Sequence, residues 1–462
     1  MNRNPLLSKV AVIGLLMLLL AVPLWMVRGL IEERSAHRAE AEMEVARAHA
    51  GQQVLVGPVL QVPYTESYTR TVFVNGDAMQ TREEPMVAHR TKLYFPQQMD
   101  TRSQLGTETR WRGIFPVTVF NSRHDSTGHF AWMPPQPQEP GGRITLGEPR
   151  LLVGLSDLRG LLSPPQLTLG GVPLNVGPAT NTDKLPARLP LAASFDAAVL
   201  QPGKRIAFSL GMEVAGTGQM GWVPLADANT VKLSSNWPHP SFDGDFLPRA
   251  RTVTAQGFEA SWSVPSLSTR AQQTFLQDVE RSMALDILGV SLANPVDVYR
   301  LTERATKYAT MFIVLTFAAF FVLEMVRRWC IHPMQYLMIG AALVLFFLML
   351  LSFSEQIGFF PAYLLASAAC IGLLTHYLAH VLAGWRPALC MSGLLVALYG
   401  VLYGILISED NALMMGSLLL FGVLGAVMVA TRRLDWYSVM GTPAMPARAR
   451  SRNPADALIN KA

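Results

Sequence analysis

Four acidic residues stand beside long apolar segments, where a carboxylate group has the greatest scope for chemistry. An acid at the edge of a lipid bilayer is costly unless water or a cation stabilises it, so such residues often bind protons, ions or polar ligands. The carboxylates that meet this description are Glu324, Glu355, Glu409 and Asp410. We therefore take these four residues as the candidate functional sites of the chain.

Three of these acids also have a simple structural interpretation. Glu355 lies in the short segment SFSEQIGF and can face water in a tight turn. Glu409 and Asp410 precede an apolar segment, where negative charge suits the first turn of a helix. Either Ser408 or Asp410 can cap the first amides of that helix. We therefore favour a functional role at Glu355 over one at Glu409 or Asp410.

Glu324 precedes two arginines by one helical turn. Residues three or four apart share a face of a helix, so Glu324 can pair with Arg327 or Arg328 at the membrane surface. A proton relay through Glu324 would need polar partners deep in the apolar segments, and these segments offer almost none. This scarcity favours a structural role and argues against an ion-coupled transporter.

Histidine and cysteine residues give a weaker indication of a metal site. His376 and His380 are four residues apart and share one helix face, and Cys330, His332 and Cys390 are predicted to lie near the cytoplasmic surface. Their spacing matches no recognised set of metal ligands. The chain also lacks the G-x-x-x-x-G-K-[ST], G-x-S-x-G and H-E-x-x-H patterns. We predict no catalytic, metal-binding or cofactor-binding residues and no enzymatic activity.

Six apolar segments position the candidate residues. The first covers residues 10–27, and five more follow one another with short gaps within residues 308–430. Each is roughly twenty residues long, which allows a helix to cross a hydrocarbon core of about 30 Å. The sequence therefore predicts six transmembrane helices, of which one is N-terminal and five form a C-terminal bundle.

The first apolar segment admits two interpretations. It could be a cleaved signal peptide, but it is longer than a typical signal-peptide core and no A-x-A cleavage pattern follows it. We favour an uncleaved anchor, with a cytoplasmic tail and the first transmembrane helix in residues 1–30. Residues 31–50 are rich in Ala, Glu and Arg and contain no Gly or Pro, so they are predicted to extend this helix as a stalk.

Residues 51–270 have the pattern of an all-β domain. Short alternating or β-branched runs are separated by Gly, Pro, Asn and Asp, which is typical of a sandwich or a barrel. Residues 75–77, Asn-Gly-Asp, indicate a hairpin turn. The length fits one large unit or two smaller ones. Residues 271–307 are predicted to be a helical linker, because residues 272–288 carry apolar side chains at helical spacing.

The distribution of charge predicts the orientation in the membrane. The formal net charge is +5, and basic residues flank the apolar segments in the N-terminal tail and in alternate gaps, whereas acidic residues fill the other gaps. Basic residues mark the cytoplasmic side, so both termini are predicted to be cytoplasmic and the β domain periplasmic. The basic tail, residues 431–462, can contact anionic lipid headgroups. This distribution gives no indication of nucleic-acid binding.

Several motifs make the chain resemble the CreD family of bacterial inner-membrane proteins. They match in order and spacing over nearly the whole chain, and they include Gly57-Pro58-Val59-Leu60, Asn294-Pro295-Val296-Asp297, residues 304–324, His332-Pro333-Met334-Gln335-Tyr336, residues 350–359 and Asp435-Trp436-Tyr437. The resemblance implies an inner-membrane location and a link to envelope stress, because the family is also described as cell-envelope integrity proteins and a sensor-kinase system controls its expression in some bacteria. It implies no reaction, since it brings no catalytic residues with it.

These observations lead to three hypotheses, in order of preference. The first is a non-enzymatic protein that maintains the cell envelope and whose periplasmic domain binds a protein, glycan or lipid partner. The second is a transporter or lipid-handling protein whose bundle forms a path beside Glu355. The third is an integral-membrane enzyme. Gly400 and Gly404 form a small-xxx-small pair, which permits packing within the bundle or contact between copies in a homo-oligomer.

Overall fold

The chain forms two compact units. The computed structural model describes residues 5–73, 81–179, 189–277, 285–292, 298–327, 331–382, 384–408 and 411–432. One unit combines residues 1–37 with residues 296–462, and the other comprises residues 38–295.

Seven helices lie in the described part of the chain. They are α1 (Pro5–Ala48), α2 (Ala271–Gln277), α3 (Val298–Arg327), α4 (Pro333–Ile357), α5 (Phe359–Val381), α6 (Trp385–Ile407) and α7 (Ala412–Thr431). All except α2 are long and apolar enough to cross a membrane, which confirms the six predicted spans. The predicted stalk is also helical, because α1 continues without a break to Ala48.

Local sequence explains where α4 begins and ends. His332 caps the helix, since its Nδ1 accepts the N–H of Met334 while the side chain of Gln335 accepts the N–H of His332. Pro333 takes the first helical position, where the N–H that it lacks would have no partner. Gly358 has a φ of 81°, a conformation that residues with a side chain rarely adopt. The chain therefore passes from α4 into α5 at a single glycine.

The second unit contains seventeen strands in its described residues. They are β1 (Gln53–Phe73), β2 (Thr81–Tyr94), β3 (Gln98–Arg112), β4 (Phe115–Ala131), β5 (Arg143–Leu146), β6 (Arg150–Leu155), β7 (Gln166–Leu169), β8 (Val172–Leu174), β9 (Gly177–Pro178), β10 (Leu191–Ser194), β11 (Arg205–Thr217), β12 (Gln219–Trp222), β13 (Ala228–Ser235), β14 (Ser241–Gly244), β15 (Ala250–Thr254), β16 (Gly257–Pro265) and β17 (Leu288–Ser291). This is the predicted β domain, inserted between the first and second spans.

The strands form two sheets. The nine-stranded sheet has the order β14-β17-β12-β1-β6-β10-β9, with β2 and β5 also paired to β1. The eight-stranded sheet has the order β15-β16-β13-β3-β4-β11-β7-β8. Most neighbours are antiparallel, but β1 pairs parallel with β12 and β13 pairs parallel with β3.

The two sheets enclose one hydrophobic core. Buried and exposed positions alternate along strands such as β11 and β16, as expected when one face of a sheet is covered. Leu60 and Leu151 of the nine-stranded sheet join the same buried cluster as Phe120 and Trp262 of the eight-stranded sheet. The region is therefore a sandwich and a single unit, rather than two smaller domains.

The predicted helical linker, residues 271–307, contains a strand of the β domain. Helix α2 ends at Gln277, and β17 pairs antiparallel with both β12 and β14. The β domain thus extends to Ser291, beyond the predicted boundary at residue 270. A short apolar run fits helical and strand periodicity equally well, so only pairing with the sheet decides between them.

The predicted hairpin joins the two longest neighbouring strands of the nine-stranded sheet. Strands β1 and β2 pair antiparallel up to Phe73 and Thr81, as a hairpin requires. Its turn, residues 75–77, lies outside the described residues.

Candidate functional site

Glu324, near the end of α3, is buried among three partners. Its side chain forms an ion pair with Lys9 of α1. The hydroxyl of Tyr336 on α4 donates to Oε2 at 2.9 Å, and the N–H of Ile331 donates to Oε1 at 3.1 Å. We call Lys9, Glu324, Ile331 and Tyr336 the Glu324 cluster. It joins three helices through one carboxylate that is only 6% exposed.

Glu355 lies in a similar cluster near the other end of α4. The hydroxyl of Tyr299 on α3 donates to its Oε1 at 2.9 Å. The Nε of Arg34 on α1 lies 3.8 Å from the same oxygen, and the side chain of Glu355 is 9% exposed. We call Arg34, Tyr299 and Glu355 the Glu355 cluster. The predicted solvent-facing loop carboxylate is therefore a mostly buried one at a helix junction.

The two clusters exchange the roles of α3 and α4. In the Glu324 cluster α3 supplies the acid and α4 the tyrosine, whereas in the Glu355 cluster α4 supplies the acid and α3 the tyrosine. Helix α1 supplies the cation to both. The first span is thus tied to α3 and α4 near both of its ends, and α1 and α4 run in the same direction.

A glycine lets the same three helices pack closely between the two clusters. A Cβ atom at Gly340 of α4 would collide with the side chain of Leu20 on α1 and would lie 3.0 Å from the ring of Phe317 on α3. Leu20 and Phe317 are both buried. Small residues permit this kind of close approach between membrane helices.

The clusters are built as structural clamps. Each places a carboxylate where little water reaches it and compensates its charge with groups from other helices. In the Glu324 cluster, removing the cation would leave an uncompensated buried charge, which is strongly destabilising. Lys9 is the cation that pairs with Glu324 among the described residues. The predicted pairing with Arg327 or Arg328 stays a prediction, because the side chain of Arg327 and all of Arg328 lie outside the described residues.

The remaining acidic candidates, Glu409 and Asp410, lie outside the described residues. Their flanks are described. Ser408 ends α6, where its N–H donates to the carbonyl of Gly404 at 3.1 Å. Asn411 holds the position before α7 and makes no side-chain capping bond. Ser408 therefore belongs to the end of α6. It does not cap α7, although the sequence allowed that role.

The two histidines of α5 contact each other but form no larger cluster. The ring centroids of His376 and His380 are 4.8 Å apart, and Nδ1 of His380 lies 2.9 Å from the carbonyl oxygen of His376. Among the described residues, no three His, Cys, Asp or Glu side chains are placed to hold a metal ion. Cys330 lies outside the described residues, and Cys390 is exposed.

A polar cluster that the sequence analysis missed lies inside the β sandwich. His124 on β4 is 1% exposed, and its Nδ1 and Nε2 lie 2.8 Å from the hydroxyls of Ser103 and Ser122. Ser122 donates its only proton to the carbonyl of Val214 at 2.9 Å. Ser122 must then accept from Nε2–H, so Nδ1 accepts the proton of Ser103. His124 is neutral, with both ring nitrogens satisfied.

Burial also determines the ionisation of His124. Desolvation lowers its pKa from 6.5 to about 3, because a charged imidazole would lose its hydration inside the sandwich. The cavity beside it measures about 10 Å³, room for roughly one water molecule. Ser103 and Ser122 are buried too, so this serine–histidine arrangement offers no nucleophile to a substrate. Its signal in the sequence was the alternation of Ser122, His124 and Ser126 along one strand face.

A buried carboxylate holds a loop against β1. Glu66 is fully buried, and its Oε1 accepts the N–H groups of Gln138 and Glu139 at 2.7 and 2.8 Å. The Nε of Arg90 on β2 lies 3.0 Å from Oε2. The bond from Glu139, followed by that from Gln138 and the charge of Arg90, lowers the pKa of Glu66 despite burial, which acts in the opposite direction. Glu66 is thus a structural anchor.

The outward face of the eight-stranded sheet carries a groove of about 1030 Å³. It crosses β15, β16, β13, β3, β4 and β11, which are neighbours in that order. Its side chains are mostly amides and hydroxyls, and its polar members are Gln104, Asn121, Ser122, Arg123, Glu213, Ser234, Ser235, Asn236, Thr252, Thr254, Gln256 and Glu259. The groove is the feature of the β domain best suited to a polar ligand of appreciable size.

A smaller groove of about 440 Å³ adjoins the first one. The two share Gln104, Ser234, Thr252 and Glu259, and the smaller one adds the basic side chains of Arg102, Lys232 and Arg251. Sequence patterns could not reveal either groove, because the lining residues come from strands that are far apart along the chain.

Comparison with known proteins identifies the family. The sequence matches the family described as Inner membrane protein CreD over residues 5–437. It is 32% identical over 445 residues to Inner membrane protein CreD of Escherichia coli (strain K12), and the match covers 95% of each chain. The chain belongs to the CreD family. CreD membership and the six apolar helices together make it a multi-pass protein of the inner membrane.

Two solved structures with partial similarity add nothing to this assignment. A crystal structure of the M1 zinc metallopeptidase from Deinococcus radiodurans is 9% identical to this chain, with a TM-score of 0.21 over 42% of each chain. A substrate-bound mutant of that peptidase gives 11% identity and a TM-score of 0.22 over the same share. Such low scores do not establish a shared fold, and neither a zinc site nor a peptidase activity follows for this chain.

The Glu355 cluster yields a graded prediction. Tyr299→Phe removes a hydrogen bond to a buried carboxylate and should cost the helix bundle about 1.5 to 3 kcal/mol of unfolding free energy. Arg34→Gln should cost less than about 1 kcal/mol, because the side chain of Arg34 is 42% exposed and its Nε is 3.8 Å from the acid. Equilibrium unfolding in mixed micelles with SDS measures both. A larger loss of unfolding free energy for Arg34→Gln than for Tyr299→Phe would contradict this ranking of the two contacts.

Proposed function

We propose that this CreD-family protein maintains the integrity of the cell envelope without catalysing a reaction, and that its β domain acts in the periplasm by binding a partner there. The observation that carries the proposal is the polar groove on the outward face of the eight-stranded sheet. The groove is large enough for a ligand, whereas the buried serine–histidine cluster is closed to one.

The distribution of charge supports the periplasmic orientation. Lys9, Arg386 and Arg432 flank the described spans at the bundle end where α1 begins. Glu355 stands at the opposite end, close to the point where the chain leaves for the β domain. Because basic residues mark the cytoplasmic side, this distribution supports cytoplasmic termini and a periplasmic β domain.

The clamps support a holding role for the bundle. The chain passes from one unit to the other after residue 37 and returns before residue 296. The Glu355 cluster links Arg34 and Tyr299, which lie beside these two passages in the sequence. This link supports a defined spacing of the two chain segments that lead to the β domain, as an anchor requires.

Complementation by a variant whose groove is filled with a side chain tests the proposal. Gly106 on β3 lines the groove, and a Cβ atom there would contact only the carbonyl of Asn121, at 3.8 Å. Gly106→Leu should therefore fold and fill the groove with apolar volume. We expect it to fail in restoring the envelope barrier under detergent stress in a strain that lacks the protein.

Gly211→Leu is the matched control. Gly211 lies on β11 of the same sheet, outside the residues that line the groove, and its Cβ atom would also meet only ordinary contacts at 3.6 and 3.8 Å. It should restore the barrier at the same abundance on a blot. Full restoration by Gly106→Leu at normal abundance would contradict a role for the groove.

A further inference from the structure

We infer that the groove of the β domain binds an uncharged, hydroxyl-rich oligosaccharide laid across the strands; this inference rests on the proposed function. The side chains that suit such a ligand are Gln104, Asn121, Ser234, Asn236, Thr252, Thr254 and Gln256. Amide and hydroxyl groups both donate and accept hydrogen bonds, as sugar hydroxyls do.

Some amide side chains of the groove are already hydrogen-bonded within the protein, and others are free to bind a ligand. Oδ1 of Asn236 accepts the N–H and the hydroxyl of Thr107 at 2.8 and 3.0 Å, so this side chain is fixed in place. Gln104 and Asn121 are exposed, and their side chains make no hydrogen bond within the described part of the chain. Two amides are therefore free to bind a ligand beside one that is already oriented.

The shape of the groove fits an extended chain. It crosses six neighbouring strands, from β15 to β11. At a strand spacing of about 4.8 Å, this corresponds to a length of about 24 Å, enough for several sugar rings in a row. Gly106 lies in its lining, is exposed, and leaves the backbone accessible there.

A peptide added as an extra strand does not fit this location. Strand addition requires a sheet edge with unpaired backbone groups. The centre of the groove lies over β16, β13, β3 and β4, each of which is paired with a strand on both sides. Recognition here must use side chains on the face of the sheet.

Anions and acyl chains fit the lining less well than a sugar does. In the larger groove, Glu213 and Glu259 outnumber Arg123, whose Nε lies 3.3 Å from Asp125. An acyl chain needs a mostly apolar lining. Leu105 and Phe258 are buried beneath the polar side chains, and Leu162 is the one exposed apolar side chain of the lining. Within the larger groove, both observations favour an uncharged, polar occupant.

Binding of defined hexasaccharides to the full-length protein tests the inference. The protein is purified in a detergent without a sugar headgroup, and binding of chitohexaose and maltohexaose is followed by calorimetry and by saturation-transfer NMR. We expect at least one of the two to bind. The double variant Gln104→Ala/Asn121→Ala should weaken its affinity about tenfold or more, and Gly106→Leu should abolish binding.

Gln166→Ala is the matched control, because Gln166 is an exposed glutamine on β7 of the same sheet and lies outside the groove lining. It should bind like the unaltered protein. The inference is overturned if neither hexasaccharide binds at millimolar concentration, if the double variant binds as well as the Gln166→Ala control, or if only a hexagalacturonate binds and salt abolishes that binding. If Gly106→Leu fails in complementation while no sugar binds, the ligand class is wrong and the proposed function stands.

Discussion

Lys9→Met is expected to lower the unfolding free energy of the helix bundle by about 3 kcal/mol, because it leaves the buried carboxylate of Glu324 without its cation. The double variant Lys9→Met/Glu324→Gln removes both charges and should lose less unfolding free energy than Lys9→Met does. Equilibrium unfolding in mixed micelles with SDS, followed by far-UV circular dichroism, measures both losses.

Arg28→Met provides the control for the loss of a cation from the same helix. Arg28 pairs with Glu32 at 3.5 Å, and both side chains are at least half exposed. An exposed pair of this kind is worth less than about 1 kcal/mol. If Lys9→Met costs no more than Arg28→Met, or if the double variant is less stable than Lys9→Met, the Glu324 cluster is not a clamp.

The β domain is expected to lose stability as the pH falls below about 6.5, and His124 is the cause. The unfolded chain takes up a proton near pH 6.5, whereas the folded domain resists it until pH is about 3. The unfolded state binds more protons throughout this interval, so the free energy of unfolding rises with pH. At 1.36 kcal/mol per pH unit, about 2 kcal/mol is lost between pH 6.5 and pH 5.

Amide hydrogen exchange of β4 and β11 at pH 7 and pH 5, corrected for the intrinsic rates, measures this loss. His124→Gln keeps a polar side chain beside Ser103 and Ser122 but cannot titrate. Its protection factors should be lower than those of the unaltered domain at pH 7 and should change little at pH 5. An equal fall in protection for both proteins would assign the acid sensitivity to other groups.

The helices could be predicted from sequence because their signals are local. Each span is a continuous apolar run of sufficient length, and the stalk has no residue that breaks a helix before Ala48. The β domain was also recognisable from its alternating runs and turn residues. The end of the β domain was not recognisable, because the apolar side chains of Leu285, Ile287 and Leu288 fit a helix as well as a stretch that leads into strand β17.

The candidate site could be predicted only in part. Glu324 and Glu355 stood out because they are acids beside apolar segments, but their partners did not. Lys9 and Glu324 are 315 residues apart in the chain, and no periodic pattern connects positions so distant. The groove was hidden for the same reason, since side chains from six strands form it only after the sheet has assembled.

The central claim is that the protein works through the groove of the β domain and that the bundle holds this domain in place. The most direct measurement compares Gly106→Leu with Glu355→Gln in the same complementation assay, scored by envelope leakage under detergent stress at matched abundance. We predict that Gly106→Leu leaves the envelope leaky while Glu355→Gln restores the barrier. Restoration by Gly106→Leu together with failure of Glu355→Gln would place the activity in the bundle and contradict the claim.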